Sequence, residues 1–90
     1  MPNSKKKSAA LRYDQGYEVP IVTAAGIGLI ADKIIEKADE NNIPIVYNKE
    51  LAELLQNVDI GESIPPEIYG IVAEVIAYVL HVDGDLKKRR

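Results

Sequence analysis

The sequence contains one glycine motif whose spacing is typical of a phosphate-binding turn. Residues 26–31 read Gly-Ile-Gly-Leu-Ile-Ala, a G-x-G-x-x-A pattern between a β-branched run and a helical pattern. In dinucleotide-binding proteins such a turn brings backbone N–H groups against a pyrophosphate at a helix N-terminus. However, no acidic residue follows the next apolar run at residues 47–48 to hold a ribose. A plain strand-to-helix turn is therefore favoured, and the alternative is a small nucleotide-binding subunit that uses the Gly26-Ile27-Gly28 turn.

Three further side chains could take part in acid–base chemistry. Glu67 and Glu74 lie two turns apart on one face of a predicted helix, although an exposed polar stripe explains them better. The single histidine, His81, is in the last turn of that helix, where a cation suits the helix dipole. The chain has no cysteine, so zinc would lack its usual sulfur ligands. The sequence thus predicts no catalytic residue, no metal site and no cofactor.

These side chains must be positioned by a domain that mixes strands and helices. Residues 19–22 form a short β-branched run, and the apolar residues from 27 to 38 then recur at helical spacing. Asn41, Asn42 and Pro44 are expected to end the helix, and residues 43–46 (Ile-Pro-Ile-Val) predict a second strand. Two strands joined by a helix of this length are expected to lie parallel, with a right-handed crossover.

The flanking sequence completes this predicted domain. Ser8–Tyr13 predicts a strand that pairs antiparallel with the first β-branched run. Asn48 is suited to cap a short helix that ends near residue 56, and Pro66 to begin a last helix that ends at residues 83–85. The predicted fold is α/β: a small three- to four-stranded mixed sheet flanked by three to four helices, in a single domain.

The charge is distributed unevenly along the chain. The net charge is −3, but between residues 8 and 86 only four basic residues face all fourteen acidic ones, which gives −10. Such an acidic body lacks the clustered basic face that nucleic acids require, so no nucleic-acid partner is expected. We expect a disordered N-terminal segment at residues 1–7, a folded domain at 8–82 and a basic tail at 83–90.

No stretch of the sequence is suited to cross or enter a membrane. The longest apolar stretch, at residues 64–82, carries Glu74 near its centre, and a carboxylate is costly in lipid. The basic start is not followed by the apolar region of a signal peptide. We therefore expect a cytoplasmic protein with no direct membrane insertion.

A set of short motifs is specific in its order and spacing. The motifs are Ala10-Leu11-Arg12-Tyr13, Pro20-Ile21-Val22, Ala24, Gly26, Ala31, Ile34, Ala38, Ile43-Pro44-Ile45-Val46, Leu51-Ala52, Leu55, Ile60-Gly61, Ile64-Pro65, Tyr69, Val72-Ala73-Glu74-Val75 and Ala77-Tyr78-Val79. In this order the motifs resemble the cytoplasmic C-terminal domain of the FlhB/YscU family, the substrate-specificity switch proteins of flagellar and type III secretion export machines. The resemblance covers about residues 8–82 and implies a small sheet flanked by helices.

The self-cleavage motif of this family is degenerate in the chain. Family members cut themselves between Asn and Pro of an Asn-Pro-Thr-His motif, in which the Asn side-chain amide attacks its own carbonyl and the prolyl nitrogen leaves. The matching positions here are Asn3, Ser4, Lys5 and Lys6, and only the Asn matches. Because the prolyl nitrogen and the imidazole are both missing, we expect no self-cleavage and no enzymatic activity.

The resemblance also implies a sheet that is short of one strand. The chain begins almost where the released C-terminal fragment of the family begins, and in the family the upstream strand stays in the sheet. We therefore expect an exposed edge at Ser8–Tyr13, carried by Ala9, Leu11 and Tyr13, which accepts a strand from another chain. The adjoining helix surface is expected to comprise Glu67, Tyr69, Glu74 and Tyr78.

The implied function is that of a non-enzymatic binding module. It would act in substrate export or specificity by docking on the export gate of a flagellar or type III secretion system. The expected partners are export-gate membrane proteins or a truncated FlhB-like relative, together with export substrates or chaperones. The expected location is the cytoplasm, peripheral to the export apparatus at the inner face of the membrane.

Overall fold

Two antiparallel strands form the sheet in the described part of this protein. The computed structural model of the chain describes residues 6–13 and the backbone of residues 19–88, with side chains as far as Leu80. Strand β1 (Lys7–Arg12) pairs antiparallel with strand β2 (Ile21–Ile27), as the sequence predicts. The register shifts after Ala10, so that Thr23 is an extra residue on β2 that lies opposite no residue of its own on β1.

Among the described residues, three α-helices follow the strands, and the signals that start these helices are local in sequence. Helix α1 (Leu29–Glu40) starts after Gly28, whose φ of 68° favours glycine. Helix α2 (Lys49–Leu55) is capped by Asn48, whose side-chain oxygen accepts a hydrogen bond of 3.0 Å from the Leu51 N–H. A 3₁₀ turn (Pro66–Ile68) leads into α3 (Tyr69–Lys88). The starts of these helices and the end of α1 agree with the sequence patterns.

Helices α1 and α2 lie on opposite faces of β1. The Ser8 hydroxyl donates a hydrogen bond of 3.0 Å to the carbonyl of Ala31 in α1. The neighbouring Lys7 instead reaches Glu53 in α2, with 3.4 Å between its Nζ and the carboxylate. Because successive side chains of a strand point to opposite faces, these two contacts place one helix on each side of the sheet.

The hydrophobic core lies on the face of the sheet that α2 covers. The loop before α3 closes it by bonding to the outer edge of β2: Val22 donates to the carbonyl of Glu62 at 3.0 Å and accepts from Gly61 at 2.7 Å. This edge of β2 is therefore covered by the chain's own backbone around Val22. The buried core side chains are Val22, Leu51, Leu55, Ile64, Ile68 and Val72.

The predicted second strand at residues 43–46 is wrong. Residues 43–48 have no regular secondary structure, so the described part of the chain has a two-stranded antiparallel sheet instead of three or four strands with a parallel crossover. A β-branched run becomes a strand only when another strand bonds to it. Among the described residues, the backbone groups of residues 44–47 make no hydrogen bond. Residues 43–46 thus have the composition of a strand, but no strand of the described part of the chain pairs with them.

The predicted end of the last helix is also wrong. The backbone of α3 continues through Asp83, Gly84 and Asp85 to Lys88. Aspartate and glycine are poor helix formers, but each lowers the stability of a helix interior by only about 1 kcal/mol or less relative to alanine. Extension of a helix that already exists adds one hydrogen bond per residue, so such a short run does not have to end it.

Candidate partner-binding groove

A large open groove runs along the edge of β1 that does not contact β2. Its volume is about 1620 Å³, above the roughly 300–1,000 Å³ of small-molecule pockets. Both β1, with its flanking residues Lys6 and Tyr13, and residues 43–48 line the groove. These two segments form no ladder with each other, because β1 pairs with β2 alone in the described sheet. The size of the groove suits a segment of polypeptide better than a metabolite.

The hydrogen-bond pattern of β1 shows which backbone groups face the groove. The Lys6 carbonyl accepts a hydrogen bond of 2.7 Å from the Gly28 N–H, so Lys6 faces the β2 side. In an antiparallel ladder this orientation alternates, which turns Ser8 and Ala10 toward β2 as well. The residues whose N–H and C=O point away from β2 are Lys7, Ala9 and Leu11.

Apolar side chains form both walls of the groove. On the α1 side they are Ile30, Ile34 and Ala38, and on the other side α2 supplies Leu51 and Leu55. Helix α3 extends this second wall with its middle part. The structure thus holds two apolar layers apart, with the unpaired edge of a strand between them. The α3 residues of the wall are Val75, Ile76, Val79 and Leu80.

The sequence-predicted edge residues all line this groove. Ala9 and Leu11 lie in β1, where their side chains pack against the hydrophobic core, so the groove is open to their backbone groups more than to their side chains. Tyr13 follows β1 and is 49% exposed. An occupant of the groove would therefore meet the main chain at residues 9 and 11 and an aromatic ring at residue 13.

Two of the four residues of the predicted helix surface line a common cleft. Glu74 and Tyr78 line a second, smaller cleft of about 470 Å³, which neither Glu67 nor Tyr69 lines. Tyr47 lines this cleft too, and sequence reasoning missed it. The sequence contains no signal for this, because an aromatic residue at the end of an apolar run is expected to be buried, whereas Tyr47 is 86% exposed.

The degenerate cleavage positions are only partly described by the structure. Asn3, Ser4 and Lys5 lie outside the described residues. Lys6 forms an ion pair with Asp32 of α1, with 2.9 Å between Nζ and the carboxylate. The hydrogen bond to Asp32, together with the charge of that carboxylate, raises the pKa of Lys6 above its ordinary value. Lys6 therefore joins the start of β1 to the first turn of α1.

The glycine turn has a packing role in this structure. A Cβ on Gly26 would clash with the side chain of Ile30, whose Cβ would be 2.7 Å away, so helix α1 packs too closely on β2 for any larger residue. The Gly28 N–H already donates to the Lys6 carbonyl. Asp32, in the first turn of α1, would repel a phosphate. The turn therefore offers little to the nucleotide-binding alternative.

The described part of the chain contains neither a cluster of metal-ligating side chains nor a membrane-spanning helix. Among those residues, no three His, Cys, Asp or Glu side chains come together as metal ligands would. The side chain of His81 lies outside them. None of the described helices combines the length and apolar character needed to cross a membrane.

The chain is similar in sequence to FlhB proteins and to one small protein of comparable length. The family model described as the FlhB HrpN YscU SpaS family matches residues 2–79. The uncharacterized protein YlqH of Bacillus subtilis is 34% identical over 86 residues, which cover 94% of this chain and 92% of YlqH. The flagellar biosynthetic protein FlhB of Aquifex aeolicus is 45% identical over 73 residues, 79% of this chain. The chain spans only 21% of the length of that FlhB.

Solved structures show the same relationship at the level of the fold. The cytoplasmic domain of FlhB from Shewanella putrefaciens is similar with a TM-score of 0.84 and 32% identity, over 92% of this chain and 69% of that one. The C-terminal domain of PscU is similar with a TM-score of 0.76 and 27% identity, over 81% of this chain and 95% of that one. The resemblance inferred from the motifs is confirmed.

Proposed function

Because the chain belongs to the FlhB HrpN YscU SpaS family, we propose that it is a non-enzymatic binding module of the flagellar or type III protein export apparatus. It acts in substrate export or specificity by docking on components of the export gate. Its contact with the gate is made by the groove along β1. The observation that carries this proposal is the unpaired edge of β1 between two apolar walls.

The occupant of the groove is an extended strand of a partner protein. The N–H and C=O groups of residues 7, 9 and 11 supply the hydrogen bonds of one ladder, which is the mode of β-strand addition. The unpaired backbone of residues 44–47 is available for a second ladder on the other side of the groove. A strand of six residues, as long as β1, spans about 20 Å.

The sequence of this partner strand is apolar on both faces. The sides of the groove come from α1 on one face of the sheet and from α2 and α3 on the other, so each face of an inserted strand packs against a helix. Strands buried on both faces are near-continuous runs of β-branched residues instead of alternating ones. An export-gate membrane protein or a truncated FlhB-like relative is the proposed donor of this strand.

The proposed location of the chain in the cell follows from the location of its proposed partner. Docked by this groove, the chain sits in the cytoplasm at the inner face of the membrane, peripheral to the export apparatus. The cleft residues Glu74 and Tyr78 then stay open to further contacts with export substrates or chaperones. Glu67 and Tyr69, on the N-terminal part of the last helical segment, are separate from both the groove and the cleft.

Co-purification with a truncated relative tests the docking. The bait is a membrane-embedded FlhB-like protein that ends at the Asn of its cleavage motif, and the prey is this chain or one of two variants. Ile43→Asp places a carboxylate in the groove, where Ile43 is 54% exposed. Ile60→Asp is the matched control, since Ile60 is 58% exposed and lies outside the groove.

The two variants should behave differently. Burial of the exposed half of an isoleucine against the partner contributes about 1 kcal/mol to binding. Ile43→Asp loses this contribution, and the desolvation of its carboxylate weakens binding further. We expect Ile43→Asp to weaken retention at least tenfold and Ile60→Asp to leave it unchanged, with both proteins folded by circular dichroism. If the truncated bait never retains the unaltered chain, or retains Ile43→Asp equally well, docking by strand addition is wrong.

The proposal includes no self-cleavage. The amide of Asn3 has no prolyl nitrogen to displace, because Ser4 follows it, and no imidazole stands two residues further on. We expect the intact mass of the purified chain to stay unchanged over days of incubation. A loss that corresponds to Met1–Asn3 would contradict this expectation and would show that the chain is an active self-cleaving domain.

A further inference from the structure

The small cleft beside the groove combines two exposed aromatic rings with one carboxylate. Tyr47 is 86% exposed and Tyr78 is 62% exposed, and both line the cleft together with Glu74 of α3. Large aromatic side chains exposed to this extent on adjacent elements are typical of contact sites. The remaining residues that line the cleft, Ile45, Val46 and Val75, are apolar.

No cation of the described chain neutralises this cleft. Its described lining has no Lys, Arg or His, and Glu74 makes no ion pair among the residues that the structure describes. Lys6 lines the neighbouring groove, as Tyr47 does, but Lys6 forms an ion pair with Asp32. The basic Lys88 is on the same helix as Glu74, about 21 Å further along the axis at 1.5 Å per residue.

We propose that this cleft binds an arginine side chain of a partner protein. A guanidinium group stacks on tyrosine faces and donates two parallel hydrogen bonds to a carboxylate. The cleft contains both tyrosine rings and a carboxylate. Arginine is the occupant instead of lysine because a planar, weakly hydrated fork suits two rings and one carboxylate better than a compact ammonium does. The apolar residues that line the cleft accommodate the methylene stem of the arginine.

The position of the cleft indicates how a partner would reach it. Ile45, Val46, Tyr47 and Val75 line the cleft and also the groove along β1. A partner segment that leaves the groove past residues 45–47 would therefore bring its flanking residues to the cleft. The arginine site does not depend on the groove being occupied, so it is tested with a ligand that is too small to fill the groove.

The probe is N-acetyl-arginine amide, titrated into the ¹⁵N-labelled chain and followed by NMR. N-acetyl-citrulline amide is the matched control ligand, because it keeps the shape of arginine without its charge. We expect saturable shifts at Tyr47, Glu74 and Tyr78 with arginine and none with citrulline. Binding of a single side chain should be weak, with a Kd on the order of 10 mM, and weaker in high salt because the carboxylate is exposed.

Three variants then separate the cleft from the acidic surface as a whole. Glu74→Gln should weaken arginine binding roughly two- to fivefold, the range for one exposed ion pair. Tyr78→Ala should weaken it by a similar factor, the range for one cation–π contact. Glu67→Gln, on an exposed residue outside the cleft, should leave the Kd unchanged.

Several results would overturn the proposal. Equal shifts with citrulline would show that charge is not recognised. Equal effects of Glu67→Gln and Glu74→Gln would show diffuse attraction to the acidic surface. If the cleft resonances instead shift with protein concentration alone and follow a monomer–dimer equilibrium, the occupant is a second copy of the chain, and the arginine of a different partner is excluded.

Discussion

The glycine at position 26 provides the sharpest test of how the helix layer sits on the sheet. In Gly26→Ala, the new Cβ would lie 2.7 Å from the Cβ of Ile30, whereas carbon atoms prefer separations of about 3.5–4.0 Å. Strand β2 and helix α1 would have to move apart by roughly 1 Å, since the Cβ of Ile30 is fixed to the backbone. Overpacking of this kind typically lowers the free energy of unfolding by about 1–3 kcal/mol.

Gly70→Ala is the matched control within the same chain. Gly70 lies in the first turn of α3, where an added Cβ would have no heavy atom within 4 Å. Both substitutions reduce the entropy of the unfolded chain similarly, so that contribution largely cancels when the two are compared. In a helix this entropic gain amounts to about 0.5–1 kcal/mol, so Gly70→Ala should raise the free energy of unfolding.

Thermal and urea denaturation measure the two effects. For a domain of this size, 1 kcal/mol corresponds to about 4–8 °C in Tm, so Gly26→Ala should melt several degrees below the unaltered protein and Gly70→Ala a few degrees above it. Adding Ile30→Ala to Gly26→Ala should recover part of the lost stability. The second substitution removes the Cγ2 methyl group of Ile30, which lies nearest to the new Cβ, but keeps the Cβ of residue 30. If Gly26→Ala were as stable as Gly70→Ala, close packing would not explain this glycine. A glycine needed for approach of a ligand would then become the better explanation.

Two further predictions concern the helix cap and the open strand edge. Asn48→Ala removes the acceptor that caps α2 and should lower the free energy of unfolding by about 1 kcal/mol, measured by urea denaturation; an unchanged midpoint would contradict the role of the cap. In NMR hydrogen exchange on the free protein, the amides of Lys7 and Ala9 should exchange faster than those of Ser8 and Ala10, because only the latter pair faces β2. Binding of a strand in the groove should slow Lys7 and Ala9 selectively, and equal protection of all four amides in the free protein would refute an open edge.

Local signals in the sequence predicted the helices well. The end of α1 at Asn41, the capping of α2 by Asn48 and the entry to α3 at Pro66 each depend on the backbone preferences of a few adjacent residues. The pairing of the two strands depends on a hairpin that is also local in sequence. Interactions of this range can be predicted from residue type and spacing, because their partners are only a few positions away.

Three features were decided by the tertiary structure alone. The run at residues 43–46 has the composition of a strand, yet its backbone stays unpaired because an open groove and not another strand lies beside it. Gly26 fits a nucleotide motif by spacing, but the approach of α1 to β2 explains why it must be small. The cleft brings Tyr47 together with Glu74 and Tyr78, which follow it in the sequence by about 30 positions. In each case the deciding neighbour is distant in sequence, and only the folded arrangement of the elements determines which distant residues meet.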